Sequence, residues 1–148
     1  MSSLKVQVWR GDAQGSFQAF EVPRHASQTV LDVVTHIQRM LDPTLAYRFA
    51  CRVGMCGSCA MTVNGTPRWT CRTHVNTVVK EGNELSIAPL RNLPVIRDLV
   101  TDMREFFDKW ARAKGSFEGA RTRKDDFAAI SSEDKNRKQV DAAIECIG

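Results

Sequence analysis

Four cysteines lie close together in the middle of this chain, and their spacing is the feature that most constrains its fold. They are Cys51, Cys56, Cys59 and Cys71, in the pattern C-x4-C-x2-C-x11-C. Each iron of a [2Fe–2S] cluster takes two thiolates, and this spacing suits a loop that wraps around one such cluster. The sequence therefore predicts a [2Fe–2S] cofactor held by these four cysteines.

The residues between the cysteines suit a tight wrap of the backbone. Such a wrap must bend sharply and turn its N–H groups toward anionic sulfur, which favours glycine where left-handed dihedral angles or close approach are required. Gly54 and Gly57 lie inside the wrap, and Ser58 adds a hydroxyl donor. We expect these three residues, together with Arg52, to surround the cofactor.

A hairpin is predicted directly after Cys59. Residues 60–63 and 66–70 read as two strands, and Asn64-Gly65 between them is typical of a tight β-turn. If Val63 pairs with Thr66, Cys59 and Cys71 both lie at the open mouth of this hairpin.

Two other roles for the cysteines are disfavoured alternatives. A disulfide framework needs an oxidising compartment, yet residues 1–6 contain no apolar signal region. A structural zinc site usually shows two C-x2-C knuckles, whereas here Cys56 and Cys59 form one.

Length and hydropathy set broad limits. The 148 residues suit one compact domain with an appendage, and a hydrophobic fraction of 43% allows an ordinary core. No apolar run approaches the roughly 20 residues that cross a bilayer. We expect no membrane span in this chain, although it can dock on proteins that have one.

The net charge of +4 is placed unevenly. Residues 1–94 carry ten Lys/Arg against six Asp/Glu, and residues 95–148 carry eleven of each. Residues 43–80 contain no acidic residue and five basic ones, namely Arg48, Arg52, Arg68, Arg72 and Lys80. Neighbouring guanidinium groups should stabilise the more negative, reduced cluster and raise its potential. Ordinary solvated surface is the alternative, and nucleic acid is not an expected partner because no long basic run with interleaved aromatic residues is present.

Periodicity predicts a small α+β domain with a β-grasp-like order of elements. Strands are predicted over residues 4–9, 17–22 and 85–90, and a helix over residues 29–40 with Ser27 as its N-cap. Together with the hairpin after Cys59, these elements make up a [2Fe–2S] ferredoxin-like domain over residues 1–94.

The rest of the chain, residues 95–148, is predicted to be helical. Apolar residues recur every three or four positions over residues 95–113, which indicates a long amphipathic helix that packs on its own core or faces a partner. Ser131 and Asp134 resemble a capping box that opens a second helix. Its apolar side is formed by Val140, Ala143, Ile144 and Ile147.

Two segments resemble the iron–sulfur subunits of succinate dehydrogenases and fumarate reductases. Residues 42–65 read DPTLAYRFACRVGMCGSCAMTVNG, and residues 93–100 read LPVIRDLV. The resemblance implies a plant-type ferredoxin domain followed by the start of a helical ferredoxin domain. It also implies that Cys51 and Cys56 hold one iron, and that Cys59 and Cys71 hold the other.

The resemblance further implies one-electron transfer between an FAD-containing flavoprotein subunit and the quinone side of a complex that oxidises succinate or reduces fumarate. Membrane-anchor subunits are implied as further partners, with a cytoplasmic location, peripheral on the inner membrane face. No catalytic residue of its own is predicted, since His25, His36 and His74 are isolated. A free-standing ferredoxin is the alternative, although soluble plant-type ferredoxins are usually acidic.

The sequence departs from this family near its C-terminus. The family's second domain carries further clusters on cysteine runs, and residues 144–147 resemble the approach to the first of them. Cys146 is the one cysteine outside the wrap, and one thiolate cannot hold a cubane cluster. We therefore expect a fragment or a truncated gene, without the second and third clusters.

Overall fold

A computed structural model describes residues 3–114, 122–126, 129 and 131–144, with the last five of these as backbone alone. The described residues divide into two compact units between Asp102 and Met103. The predicted domain boundary at Pro94 lies eight residues earlier in the chain.

A five-stranded mixed sheet forms the first unit, with strand order β2-β1-β5-β3-β4. The strands are β1 (Ser3–Arg10), β2 (Ser16–Pro23), β3 (Ala60–Val63), β4 (Thr66–Trp69) and β5 (Glu84–Ala88). Strand β1 pairs with β2 in an antiparallel hairpin and with β5 in parallel. The two predicted hairpins are confirmed, and β5 begins one residue before the predicted last strand.

Helix α1 (Val30–His36) follows the first hairpin and continues as a π-helical turn, Ile37–Leu41. The predicted N-cap at Ser27 is wrong, because Thr29 caps the helix. Its hydroxyl accepts from the N–H of Asp32 at 3.2 Å, and the Asp32 carboxylate accepts from the N–H of Thr29 at 2.9 Å. The two side chains form a capping box, in which two otherwise unpaired N–H groups are satisfied.

The core lies between α1 and one face of the sheet. Alternate residues of the strands point into it, as expected for strands with one buried face. Its fully buried members include Leu4, Val6, Val8, Val30, Val33, Val34, Ile37, Val63, Leu85 and Ile87. A short helix, α2 (Val75–Val78), adds Val75 to the same cluster. The predicted α+β, β-grasp ferredoxin-like architecture is therefore confirmed.

The long helix predicted over residues 95–113 is wrong for its first nine residues. A two-stranded hairpin stands there instead, formed by β6 (Val95–Arg97) and β7 (Val100–Thr101). Between these strands, Asp98 has a left-handed φ of +52°, which ends any right-handed helix. Leu99 is buried in the core of the first unit. The apolar residues here have helical spacing but do not form a helix. A hairpin turn places one of them, Leu99, in the core of the first unit.

A buried carboxylate ties this second hairpin to the rest of the first unit. Asp98 is 2% exposed and accepts from the N–H of Gly11 at 2.7 Å, from the N–H of Ala46 at 2.8 Å and from the Arg10 guanidinium at 2.8 Å. Arg10 also donates to Asp42 and Thr44, at 2.9 and 2.7 Å. We call these four side chains and the two backbone groups the Asp98 network. It fixes residues 42–46, the segment that leads into the cysteine loop.

Two helices are described in the second unit, α3 (Arg104–Arg112) and α4 (Lys135–Ile144). Helix α3 has no buried residue, and its Phe107 and Trp110 are exposed. Helix α4 is capped by Asp134, whose carboxylate accepts from the N–H groups of Asn136 and Arg137, so the predicted start at Ser131 is too early. The predicted apolar side of α4 and Cys146 lie outside the described side chains. No helix in the described ranges is both long enough and apolar enough to cross a bilayer.

Candidate metal centre in the cysteine loop

Strands β3 and β4 place two of the cysteines at the mouth of their hairpin. Val63 pairs with Thr66, and the turn residues Asn64 and Gly65 both have positive φ, of +46° and +80°. Such angles are typical of a type I′ hairpin turn. Cys59 directly precedes β3 and Cys71 lies two residues after β4, so the predicted position of this pair is confirmed.

The loop that precedes β3 carries the other two cysteines. Cys59 and Cys71 are 3% and 8% exposed, whereas Cys51 is half-buried and Cys56 is exposed. The backbone N–H of Cys51 lies 3.5 Å from the Cys56 sulfur, and the N–H of Cys56 lies 3.3 Å from the Cys51 sulfur. Cys59 and Cys71 pack in one small buried cluster with Leu31. The structure thus brings the four thiols together as one outer pair and one inner pair.

Backbone N–H groups converge on the sulfur of Cys51. Those of Val53, Cys56 and Met55 lie 3.5, 3.3 and 3.3 Å from it. These hydrogen bonds lower the pKa of Cys51 from 9.0 to about 6, because they stabilise the thiolate more than the thiol. A thiolate is the form that binds a metal.

Cys71 lies in a different environment. Burial raises the pKa of its thiol, and the hydrogen bond with the Cys59 side chain raises it further. The backbone N–H of Gly54 acts in the opposite direction and lowers this pKa. Backbone N–H groups of the wrap therefore favour the thiolate form at Cys51 and, against the effect of burial, at Cys71.

Gly54 and Gly57 both have left-handed backbones, with φ of +75° and +69°. Their surroundings differ, because a Cβ on Gly54 would stand 2.9 Å from Cγ of Arg72 and 3.0 Å from Cε3 of Trp69. A Cβ on Gly57 would meet nothing within 4 Å. Both glycines fit the predicted requirement for left-handed dihedral angles, and Gly54 also permits close packing.

Arg52 has a left-handed backbone as well, with φ of +58°. This was not predicted, since non-glycine residues enter that region infrequently. The Arg52 guanidinium lies over the Phe49 ring, 4.6 Å from its centroid, and Phe49 stacks on Tyr47 at 5.5 Å. The Tyr47 hydroxyl donates to Thr35 in α1 at 3.2 Å. The stack holds the Arg52 charge in place next to Cys51.

The five basic residues predicted around the cofactor do not form one rim. Arg52 lies in the wrap, and Arg72 stands beside Gly54. The guanidinium of Arg48 donates to the carbonyl of Thr101 at 3.0 Å. Arg68 and Lys80 line a separate hollow that none of the four cysteines lines. Of the five, Arg52 and Arg72 are the two that the structure places at the cysteine loop.

The loop also exposes apolar side chains that sequence reasoning did not single out. Val53 and Met55, inside the wrap, are 60% and 76% exposed. Phe49 next to the wrap is exposed too. Ser58 is exposed, and its role as a hydroxyl donor stays a prediction. With Arg52 and Arg72, the apolar residues form a surface that we call the wrap face, made up of Phe49, Arg52, Val53, Met55 and Arg72.

The four thiols are arranged as two pairs, as a [2Fe–2S] cluster requires. Among the described residues, no group of three Cys, His, Asp or Glu side chains is close enough to share one ion. A structural zinc site needs four such ligands around one centre, whereas a [2Fe–2S] cluster spreads its four thiolates over two irons. Two pairs of thiols, with N–H donors aimed at the sulfur atoms of Cys51 and Cys56, fit a [2Fe–2S] cluster.

One buried donor near the cysteines was missed by sequence reasoning. Trp69 packs against a small cluster formed by Leu31, Cys59 and Cys71. Its indole Nε1 is buried and has no hydrogen-bond partner in the described part of the chain. No pattern in the sequence marks this residue, since Trp69 reads as an ordinary strand residue.

Comparison with known proteins identifies the class to which this fold and site belong. Residues 4–108 match the family described as the 2Fe-2S iron-sulfur cluster binding domain. The chain belongs to this family, and the predicted [2Fe–2S] cofactor is confirmed.

The relatives are consistent with the resemblance seen in the sequence. A fumarate reductase iron-sulfur subunit from Mycobacterium tuberculosis is 43% identical over 75% of this chain and 45% of its own length. A mitochondrial succinate dehydrogenase [ubiquinone] iron-sulfur subunit from Dictyostelium discoideum is 34% identical over 99% of this chain and 58% of its own length. The chain thus spans about half the length of these relatives.

A solved structure is similar to this chain as well. A chain of the Mycobacterium smegmatis Sdh1 complex in the apo form is 33% identical and superimposes with a TM-score of 0.73. The match covers 98% of this chain and 59% of that chain. The predicted likeness to succinate dehydrogenase and fumarate reductase iron–sulfur subunits is therefore confirmed.

Proposed function

We propose that this chain carries electrons one at a time, as part of the iron–sulfur subunit of a succinate dehydrogenase or fumarate reductase. The observation that carries the proposal is the convergence of three N–H donors on the Cys51 sulfur, in a chain whose family binds a [2Fe–2S] cluster. When bound, such a cluster takes up and releases one electron.

Cys51, Cys56, Cys59 and Cys71 are the proposed ligands. The mutual N–H···S contacts of Cys51 and Cys56, and the packing of Cys59 with Cys71, support one pair for each iron. Arg52, Gly54, Gly57 and Ser58 are the proposed supporting residues. The two glycines give the backbone its left-handed turns, and the Arg52 charge favours the more negative, reduced state.

The wrap face is the proposed contact for an FAD-containing flavoprotein subunit. Its exposed apolar residues lie beside the half-buried Cys51, where an approaching partner would shorten the path for electrons. Exposed apolar side chains next to fixed positive charge are typical of protein–protein contacts, in which aromatic, Met and Arg residues are enriched. The opposite side of the electron path would lead toward quinone and membrane-anchor subunits. We propose a cytoplasmic location, peripheral on the inner face of the membrane through those subunits.

The ligand set is tested by anaerobic purification of the chain and two variants. We expect a red-brown protein with about two irons and two acid-labile sulfides per chain. Cys59→Ser should lose or perturb the visible spectrum, whereas the matched Cys146→Ser should leave it unchanged. Stoichiometric zinc in a colourless protein would reject the cluster, and equal loss in both variants would make Cys146 a ligand.

The docking proposal is tested separately with a flavoprotein subunit from a succinate dehydrogenase or fumarate reductase. We expect capture of the flavoprotein at low salt and weaker capture at high salt, because screening reduces the contribution of Arg52 and Arg72. Met55→Lys should weaken binding, and Met40→Lys, outside the wrap face and equally exposed to solvent, should not. Absence of binding at any salt concentration would favour the free-standing ferredoxin.

A further inference from the structure

We propose that the indole N–H of Trp69 donates a hydrogen bond to a sulfur atom of the [2Fe–2S] cluster, either a cysteine thiolate or a bridging sulfide. This inference rests on the cluster of the proposed function and goes beyond its ligands. Trp69 is thereby a positioning and tuning residue, since it acts on the electronic state of the cofactor and holds no iron.

The first support is the condition of the donor itself. Nε1 of Trp69 is buried and unpaired within the described part of the chain. Buried N–H groups almost always have an acceptor, because leaving one unpaired forfeits its hydration without compensation. The next residue along the chain is buried and satisfied, since the Thr70 hydroxyl donates to the carbonyl of Cys59 at 2.7 Å.

The second support is the identity of the neighbours. The indole packs against Cys59 and Cys71 on one side. The edge of the indole opposite Nε1, formed by Cε3 and Cζ3, stands against Gly54. The N–H therefore lies on the edge away from Gly54, and of the three residues in the cluster that the indole packs against, only Cys59 and Cys71 carry a side-chain acceptor. Anionic sulfur is the acceptor that this part of the protein supplies when the cofactor is bound.

The third support is a comparison with Trp9. Trp9 is also a strand residue of the same sheet, and its indole Nε1 donates to the carbonyl of Asp12 at 3.0 Å. A tryptophan of this fold thus finds a backbone acceptor where one is available. Packing alone does not explain an indole at position 69, because a phenylalanine would fill apolar space without bringing an N–H.

The chemical consequence concerns the potential of the cofactor. A hydrogen bond to sulfur stabilises the reduced cluster more than the oxidised one, since the reduced cluster has the greater negative charge. The Trp69 N–H should therefore raise the midpoint potential, as the N–H groups around Cys51 do. Unlike Arg52, it acts from the buried side and is insensitive to salt.

The direct test uses protein labelled with ¹⁵N in the indole of its tryptophans. The chain has three tryptophans, so variants identify the source of any signal. In the reduced, paramagnetic protein we expect a ¹⁵N hyperfine coupling by pulsed EPR. The coupling should be absent from Trp69→Phe and retained in Trp9→Phe.

The second measurement is a redox titration of the same proteins. Trp69→Phe should have a lower midpoint than wild type, and Trp9→Phe should match wild type. Replacement of Trp69 by 3-benzothienylalanine, which keeps the bicyclic ring and removes the N–H, should lower the midpoint in the same way. A shift with phenylalanine and none with the benzothienyl ring would mean that Trp69 acts through packing alone, and would overturn the inference.

The ¹⁵N-labelled wild-type protein tests the proposed hydrogen bond even if Trp69→Phe fails to hold a cluster. A normal [2Fe–2S] signal without ¹⁵N coupling would reject the role of Trp69 and leave the proposed function standing. A protein without any cluster would reject the proposed function itself. The two failures are therefore distinguishable.

Discussion

Arg52 lies in the cysteine loop and Arg72 packs beside it, and the effect of both charges is measurable as a midpoint potential. We expect the wild-type midpoint to lie well above the roughly −400 mV of plant-type ferredoxins. Arg52→Gln and Arg72→Gln should each lower it by on the order of a few tens of millivolts, because both charges are exposed and screened by solvent. Redox titration measures this shift.

Arg91 offers a matched control for this prediction. Its guanidinium lies beside Gly65, at the turn end of the β3–β4 hairpin, whereas the cysteines lie at the open end. Arg91→Gln removes the same charge and should leave the midpoint unchanged. A wild-type midpoint near the plant-type value, unmoved at positions 52 and 72, would contradict tuning by charge.

Gly54 and Gly57 provide a second comparison, in which the backbone strain is alike and the space differs. Gly57→Ala should lower the free energy of unfolding by about 1 kcal/mol, since alanine tolerates a left-handed backbone poorly. Its Cβ would meet no neighbour within 4 Å. Gly54→Ala carries the same strain and also clashes with Trp69 and Arg72. We expect Gly54→Ala to lower cluster occupancy, measured as iron per chain, far more than Gly57→Ala. Equal occupancies would mean that the wrap is held loosely.

Among single residues, the sequence could predict those whose role follows from their own chemistry, and it could not predict those whose role depends on contacts made by the fold. The cysteines and glycines were predictable because iron needs thiolates and a tight turn needs residues without a Cβ. Arg52 was assigned to the site, but its left-handed backbone follows from its stack on Phe49, which is a contact made by the fold. Trp69 was missed for the same reason, since burial of an N–H is a property of the packed structure.

At the scale of elements, the N-terminus of α1 separates two nearby candidate caps. Thr29→Ala removes both the acceptor for the Asp32 N–H and one half of the capping box. We expect it to lower the free energy of unfolding by about 1 kcal/mol, as measured by urea denaturation. Ser27→Ala, two residues earlier and exposed, should change it by no more than a few tenths. A larger effect at Ser27 would contradict the observed cap.

The strands and helices that were predicted correctly are those whose sequence pattern fits only one conformation. Asn64-Gly65 between two short runs allowed the β3–β4 hairpin to be placed by residue number, because two successive positive φ angles demand such residues. Residues 95–103 had a helical pattern yet form a hairpin, because Asp98 makes hydrogen bonds to residues distant in sequence that a helix would forfeit. Long-range bonds of this kind leave no local signal.

At the scale of the whole molecule, the Asp98 network sets where the cluster-binding unit ends. A chain that stops at Asp102 keeps the network, whereas one that stops at Pro94 leaves Arg10 and the N–H of Ala46 without their buried acceptor. Removing one partner of a buried ion pair typically costs about 3–5 kcal/mol. We expect residues 1–102 to melt cooperatively with their cluster and residues 1–94 to melt at a much lower temperature, by calorimetry.

Asp98→Asn in the full chain serves as the control for that truncation. This variant should lower the melting temperature by less than truncation at Pro94 does. The amide keeps one acceptor oxygen, although it removes the charge that pairs with Arg10. Similar melting of the two truncated chains would place the end of the unit at the boundary predicted from sequence. It would also show that the second hairpin is dispensable.

The parallel pairing of β1 with β5 has a consequence for the order of events during synthesis. The first strand leaves the ribosome early, but its central neighbour is complete only when Ala88 has been made, and its contact with Asp98 comes later still. All four cysteines of the loop are translated within that interval. Closing so distant a contact is slow compared with forming a local hairpin. The nascent chain therefore presents bare thiols before it has a scaffold to shelter them, and the cell must keep them reduced until iron and sulfide arrive.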